Sequence, residues 1–315
     1  MGSYPQKCSY EEEKMIIKQG LRSNKKNDAK VIAELEKVPN VTWVCVAGWI
    51  DGDGCISTTK DKHGHINRTI GIKLIDRDVV EWFANLFHTS LRKATEEKRE
   101  DGYKRKTMYV TAVSGLRARY ICEKIRPYLI EKTKNAEKFL RSFKDYPIET
   151  VPYMQHTDEE FMLWFTAFSE AEGCFRICKS TRDLINSKGE HYKYMRPPEV
   201  KFELVNTNES ILRYCKTRLE KMGFFVQKIG VVKRGYGFVG KKGAKDRRVV
   251  KRKNLFRIFL SGSNAQPLYR VMLPFMRCER KIDKVKKSLN IKYKVYKRRK
   301  KVSSNDRPVP VLYGN

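Results

Sequence analysis

The chemistry this sequence can do rests on two carboxylates. Asp53 closes the stretch Val46-Ala47-Gly48-Trp49-Ile50-Asp51-Gly52-Asp53-Gly54, and Glu172 closes Phe165-Thr166-Ala167-Phe168-Ser169-Glu170-Ala171-Glu172-Gly173. Both read as apolar and small residues, then acid, small residue, acid, glycine. Two carboxylates brought close repel unless a cation lies between them, and oxygen ligands of this kind suit Mg²⁺. Metal held at such a pair supports in-line attack of water on a phosphodiester with little covalent chemistry from the protein. No Ser-His-Asp, Cys-His or HExxH arrangement competes, since the five histidines are dispersed. Gly235-Tyr236-Gly237-Phe238-Val239-Gly240 matches GxGxxG, but Lys241-Lys242-Gly243 follows in place of an apolar helix. That stretch reads as a basic hairpin arm, not a nucleotide site.

Each acidic stretch must end a short apolar helix and lead at once into a strand. Gly48 and Gly52, like Ala167 and Ala171, are four apart and share one helix face. A face without bulk lets two helices approach below the usual spacing of about 8–10 Å. In the first half the periodicity predicts helix 41–53, strands 55–59 and 67–75, helix 78–87, a hairpin turning at Asp101-Gly102, a strand around 108–112, a helix from 116 toward Pro127 and a helix over 132–143. The second half repeats the order: helix 158–172, strands 174–179 and 199–205, helix 209–222, strands 225–232 and 255–260, and helices 265–276 and 278–289. Ser114-Gly115 precedes Pro127-Tyr128-Leu129 as Ser261-Gly262 precedes Pro274-Phe275-Met276, at the same spacing. Extra length in the second half falls near 180–198 and 233–252, in strand connections where insertions are tolerated. The expected fold class is α+β, with duplicated αββαββα halves.

These elements set the expected boundaries: an N-terminal extension over 1–40, a first half over 41–145, a linker over 146–156 around Pro147 and Pro152, a second half over 157–290 and a basic tail over 291–315. In the extension, Asp28 can cap a short helix through Leu35, read either as an added nucleic-acid contact or as a partly ordered tail.

A net charge of +31 on 315 residues calls for a polyanionic partner, nucleic acid first and anionic membrane second. No apolar run reaches the roughly 20 residues a membrane span needs, and Met1–Pro5 opens without the apolar core of a signal peptide. The eight cysteines are scattered without CxxC pairs, so a reducing, intracellular setting is expected. The tail over 281–301 is rich in Lys and Arg with Tyr293 and Tyr296 interleaved, which suits nucleic acid or a solvated helical face.

The paired nonapeptides inside a duplicated αββαββα unit resemble the LAGLIDADG homing endonucleases of the monomeric, two-repeat kind, over about 42–290. The resemblance implies two saddle-shaped antiparallel sheets related by a pseudo-twofold, straddling double-stranded DNA, with the two motif helices packed at the centre. It implies Mg²⁺ or Mn²⁺ at Asp53 and Glu172 together with the residue before each, Gly52 and Ala171, whereas Asp51 and Glu170 read as helix-end or interface residues. It further implies that Asp76 and Asn206, which end the second strand of each half, help hold the metal or its water, and that Lys132 lies near the scissile phosphate. Glu279 occupies the slot that matches Lys132 in the second half, which leaves basic assistance there to Arg277, Arg280 or Lys281. The expected activity is cleavage of both strands of a long target by a monomer, with intron RNA maturation or DNA binding without cleavage as alternatives.

Under that resemblance, strand alternation selects the side chains that face DNA. They are Ser57 and Thr59; Asn67, Thr69, Gly71 and Lys73; Arg105, Thr107, Tyr109 and Thr111; then Arg176, Cys178, Ser180, Lys201 and Glu203. A mixture of Lys, Arg, Asn, Thr and Glu suits base edges, where Lys and Arg alone would suit only phosphates. Register between Leu255 and Leu260 is ambiguous, so Arg257 carries no assignment.

Overall fold

A computed structural model describes residues 25–94, 106–143, 156–179, 181–185, 190–195, 197–239, 248–251 and 253–292. The described residues divide into two compact units, one running to Ala171 and including Arg277–Glu279, the other Glu172–Met276 with the chain from Arg280.

The first unit opens with α1 (Lys25–Glu36). Asp28 lies inside its first turn and does not cap it; its Oδ1 pairs with Arg117 Nε at 3.0 Å, and Val31 and Leu35 are buried. The extension therefore contributes a packed helix. Next comes α2 (Asn40–Gly52), buried from Thr42 to Asp51 on every side, as a helix with apolar residues around its whole circumference must be. Asp53 is its C-cap residue. Strands β1 (Gly54–Lys60) and β2 (Ile66–Leu74), α3 (Arg77–Leu86), β3 (Arg92–Lys93) and β4 (Tyr109–Ser114) follow. Then come α4 (Gly115–Ile125), a 3-10 turn over Arg126–Tyr128, and α5 (Thr133–Arg141). The sheet is antiparallel in the order β1-β2-β4-β3. Ile56, Ile70, Ile72, Leu74 and Val113 form its core face, against which α3 and α4 pack.

The second motif helix, α6 (Asp158–Glu172), starts with a reciprocal cap. Thr157 N–H donates to Glu160 Oε2 at 2.9 Å, and Glu160 N–H donates to Thr157 Oγ1 at 3.2 Å. Asp158, Glu159 and Glu160 also place negative charge at the positive end of the helix dipole. Helix α6 lies against α2 at Gly48. A Cβ on Gly48 would sit 2.3 Å from the Trp164 carbonyl oxygen and 2.9 Å from Ala167 Cβ. Small residues thus bring the two backbones together, as their spacing predicts. Gly48→Ala is expected to cost about 1–3 kcal/mol through overpacking, checked as a fall in the denaturation midpoint at unchanged m-value.

In the second unit β5 (Gly173–Cys178), β8 (Glu199–Asn206), α7 (Glu209–Lys221), β9 (Gly230–Val232), β12 (Leu255–Ser261), α8 (Ala265–Met272) and α9 (Glu279–Leu289) reproduce the first-half order. The sheet runs β5-β8-β12-β9, antiparallel throughout, the same strand order as the first once added strands are set aside. The fold is thus α+β with two four-stranded antiparallel sheets. The added strands are two separate ribbons, β6 (Thr181–Ile185) with β7 (His191–Met195) and β10 (Tyr236–Val239) with β11 (Arg248–Lys251). Both lie where the sequence places its extra length, and the GxGxxG stretch enters β10 instead of a strand-turn-helix.

Several boundaries differ from the sequence reading. Strand 225–232 shrinks to β9, with Phe225 65% exposed. The helix expected to end near Pro127 does so, while the one expected to reach Met276 stops at Met272; a 3-10 turn carrying Pro127 or Pro274 follows each, because proline cannot donate to a continuing helix. The Ser-Gly repeats have a backbone cause: Gly115 and Gly262 take φ of +67° and +59°, the left-handed region glycine enters without penalty. The turn at Asp101-Gly102, the linker 146–155 and the tail beyond 292 lie outside the described residues.

Candidate active site and nucleic-acid interface

The two acids of each motif do different jobs. Asp51 is 1% exposed, and its carboxylate accepts four N–H donors. They are the backbone N–H of Ile130 (2.7 Å), Glu131 (3.1 Å) and Lys132 (2.8 Å), and the indole Nε1–H of Trp164 (3.0 Å). Asp51 therefore ties the loop after the 3-10 turn to α2, and α2 to α6. Burial pushes its carboxyl up to about 6, against the pull of these donors and of the Lys132 ammonium. Glu170 repeats the arrangement: it accepts from Arg277 N–H (3.0 and 3.1 Å) and Cys278 N–H (2.8 Å). The sequence reading of Asp51 and Glu170 as helix-end residues matches this geometry.

Asp53, in contrast, is exposed at the end of α2, and Glu172 is half-buried as the last residue of α6. Each is followed by the first strand of a sheet. Lys132 does not lie free beside Asp53. Its ammonium donates to the carbonyls of Ile50 (2.6 Å), Gly52 (2.7 Å) and Gly54 (2.8 Å), which collects positive charge at the negative end of the α2 dipole. The Gly52 carbonyl is thereby shared with a lysine, though a carbonyl oxygen has a second lone pair. A helix end that gathers a cation beside an exposed carboxylate offers only hard oxygen donors, the set that fits Mg²⁺ or Mn²⁺. The donor set fits the expected group.

In the second half the contact made by Lys132 passes to Lys281, whose Nζ donates to the Gly173 carbonyl at 3.1 Å. Gly173 follows Glu172 as Gly54 follows Asp53. Glu279, which fills the matching sequence slot, instead begins α9, its N–H accepted by Asp78 Oδ2 at 2.7 Å. The basic residue lies two positions further on, in the first turn of α9, and is one of the three that the sequence left open for this role. Arg277 is occupied elsewhere, its guanidinium stacked over the Trp82 ring at 4.4 Å.

Asp76 sits just after the end of β2, and Asn206 is the last residue of β8. Asp76, Asp78 and Cys278 bring their oxygen and sulfur atoms within 4.8 Å of one another. This cluster includes neither Asp53 nor Glu172. Asn206 is buried, and its Oδ1 accepts Asn208 N–H at 2.7 Å, turning β8 toward α7. Asn208 Oδ1 then accepts Ser210 N–H at 3.1 Å as the α7 cap.

On the sheets, alternation holds for most of the selected residues. Ser57, Thr59, Asn67, Thr69 and Lys73 occupy the outer face of β1 and β2, with Ser57 paired to Thr69 and Thr59 to Asn67. The Ser57 and Thr69 hydroxyls are 2.7 Å apart. Gly71 shares this face but lies against β4, where a Cβ would meet the Thr111 carbonyl oxygen at 2.6 Å. In the second sheet Val200, Phe202 and Leu204 are buried, leaving Lys201 and Glu203 outward; on β5 Phe175 is buried and Arg176 and Cys178 lie on the other face. On β4 the assignment inverts. Tyr109 and Thr111 pair with Leu74 and Ile72, the core-face residues of β2, and Thr111 is 2% exposed. Thr111 Oγ1 is satisfied by the Ser90 carbonyl at 3.3 Å. The outer face of β4 is Val110, Ala112 and Ser114, paired with Lys73, Gly71 and Thr69. Thr107 precedes β4 and is half-buried; Arg105 and Ser180 lie outside the described residues. Arg257, left unassigned by sequence, is exposed on the outer face of β12.

Among solved structures, the chain resembles LAGLIDADG proteins over most of its length. It is similar to the meganuclease I-AabMI bound to uncleaved DNA, with 12% identity over 78% of this chain and 87% of that one at a TM-score of 0.48. I-CpaMI bound to uncleaved DNA shares 9% identity over 79% of this chain and 91% of that one, at 0.47. The homing endonuclease I-GzeII in complex with its DNA target shares 13% identity over 78% and 87%, at 0.42. No protein-family model and no curated protein matches the chain. Among the described residues no helix is long and apolar enough to cross a membrane.

Proposed function

We propose that this chain is a monomeric LAGLIDADG-type homing endonuclease, which hydrolyses both strands of a long DNA target at a divalent metal held by Asp53 and Glu172. The reading is carried by the repeated architecture: two helices that each end in a carboxylate and lead into a four-stranded antiparallel sheet. Asp51 and Glu170 anchor the loops, so the chemistry falls to the closing acids Asp53 and Glu172. Metal bound there supplies charge neutralisation and lowers the pKa of an attacking water. Lys132 and Lys281 hold positive charge at the two helix ends. The outer sheet faces carry Ser57, Asn67, Thr69, Lys73, Arg176, Lys201 and Glu203, a mixture that suits base edges, and the net charge of +31 suits the phosphates.

The deciding experiment is a cleavage selection on a randomised duplex library with Mg²⁺. Defined double-strand breaks within one sequence family, abolished by EDTA and restored by Mg²⁺ or Mn²⁺, are expected. Binding without breaks would instead identify a non-cleaving protein of the same fold. DNA affinity should also fall steeply with salt as condensed counterions are released; a flat response would contradict the DNA reading.

A further inference from the structure

The outer face of the second sheet carries a charge cluster that stability does not explain. Arg176 on β5, Glu203 on β8 and Arg257 on β12 come from three adjacent strands. Glu203 is the hub. Its Oε2 accepts from Arg176 Nη2 at 2.7 Å, and its Oε1 accepts from Arg257 Nη1 at 3.4 Å. Both arginine side chains are about half exposed, 53% and 49%, while Glu203 is only 16% exposed. Exposed ion pairs of this kind add little to stability.

The surroundings fix both guanidinium planes. Arg176 Nε donates to Cys174 Sγ at 2.9 Å. Arg257 lies across Gly230, its partner in the strand register, where a Cβ would stand 3.0 Å from Nε and 3.2 Å from Cγ. A glycine at that place clears room for the arginine. On Arg176 the Nε–H and one Nη2 hydrogen are used, which leaves Nη1 and the second Nη2 hydrogen at the tip of the fork. On Arg257 it is Nη1 that bonds the Glu203 carboxylate. A guanidinium fork held in this way matches two acceptors side by side.

A phosphate could supply two acceptors, and so could guanine through O6 and N7 in the major groove. Glu203 decides between them. Its carboxylate repels an approaching phosphate and halves the cluster's net positive charge, whereas a neutral base edge tolerates it. Resting on the DNA reading above, we infer that Arg176 and Arg257, oriented by Glu203, read two guanines of the target.

The test is a binding selection of the full-length protein on a randomised duplex library with Ca²⁺ in place of Mg²⁺, for the wild type and for Arg176→Gln, Arg257→Gln and Glu203→Gln. All three sites are on the surface, and unchanged melting curves confirm folding. The wild type is expected to enrich duplexes with two fixed guanines. Each arginine variant should lose one of them, its preference for guanine there falling between about 5-fold and 150-fold, with other positions unchanged. Glu203→Gln should weaken both preferences. Guanines that persist in both arginine variants would overturn the inference and leave the DNA reading intact. A uniform loss of affinity with a shallower salt slope would also overturn it, since that marks phosphate contact. If the wild type enriches no duplex at all, the DNA reading fails and this inference with it.

Discussion

Asp53→Asn is expected to abolish cleavage of a selected target, with a loss of at least about 10²–10³-fold, while DNA binding stays within about tenfold. Asp53 is exposed at the C-cap of α2, where its backbone N–H bonds the Trp49 carbonyl. An exposed side chain at this place contributes little to the fold, and the amide keeps its shape. On the proposed reading, the substitution removes the negative charge that a divalent cation would need there. Glu172→Gln should behave in the same way. The measurement is paired: cutting of a supercoiled plasmid carrying the target, and a gel shift with the same duplex. Full cutting by either variant would sink the metal assignment, and loss of binding in step with cutting would point to DNA placement instead.

The neighbouring acid should give the opposite result. Asp51→Ala is expected to destabilise the protein by about 3–5 kcal/mol, the range for removing one partner of a buried charged network. It would strand the N–H groups of Ile130, Glu131 and Lys132 and the indole N–H of Trp164 without their acceptor. A denaturant midpoint reads this directly. Asp51 also predicts a pH dependence. Its carboxyl rises from 3.8 to about 6 in the folded chain. Between these values the folded state holds a proton that the unfolded state has released. The stability contributed by the group is therefore full below 3.8 and lost as pH rises through about 6. Asp51→Asn should flatten that slope, although the amide can no longer accept four donors. A slope unchanged in the variant would assign the titration to another group.

The contrast between Asp51 and Asp53 was legible because the pattern occurs twice, and a repeated acid-small-acid-glycine run narrows the possible roles. Alternation also succeeded on β2 and β8, where isoleucine, valine and phenylalanine mark the buried side without ambiguity. It failed on β4 because Val110 and Ala112 are apolar yet face outward, and Thr111 is polar yet buried. The acceptor that makes a buried threonine tolerable is the Ser90 carbonyl, contributed by a distant loop. Nothing local in the β4 sequence encodes that partner. Lys281 was one of three basic candidates that the sequence left unseparated, for a related reason. The loop after Pro274 is not a copy of the loop after Pro127, so the same contact is reached from a position two residues later. Patterns encode faces well, but they do not encode which remote group completes a hydrogen bond.

The anchoring of Arg277–Glu279 bears on how such a chain can be recombined. A duplicated gene invites exchange of one repeat for another by a cut in the linker around 146–156. That cut would carry α6 away from Gly48, and it would separate Glu279 and Arg277 from Asp78 and Trp82. The unit of inheritance in the sequence is thus not the unit of mechanical integrity in the protein. A chimera that keeps 158–171 and 277–279 matched to the first half should tolerate a new second sheet far better than one joined at the repeat boundary.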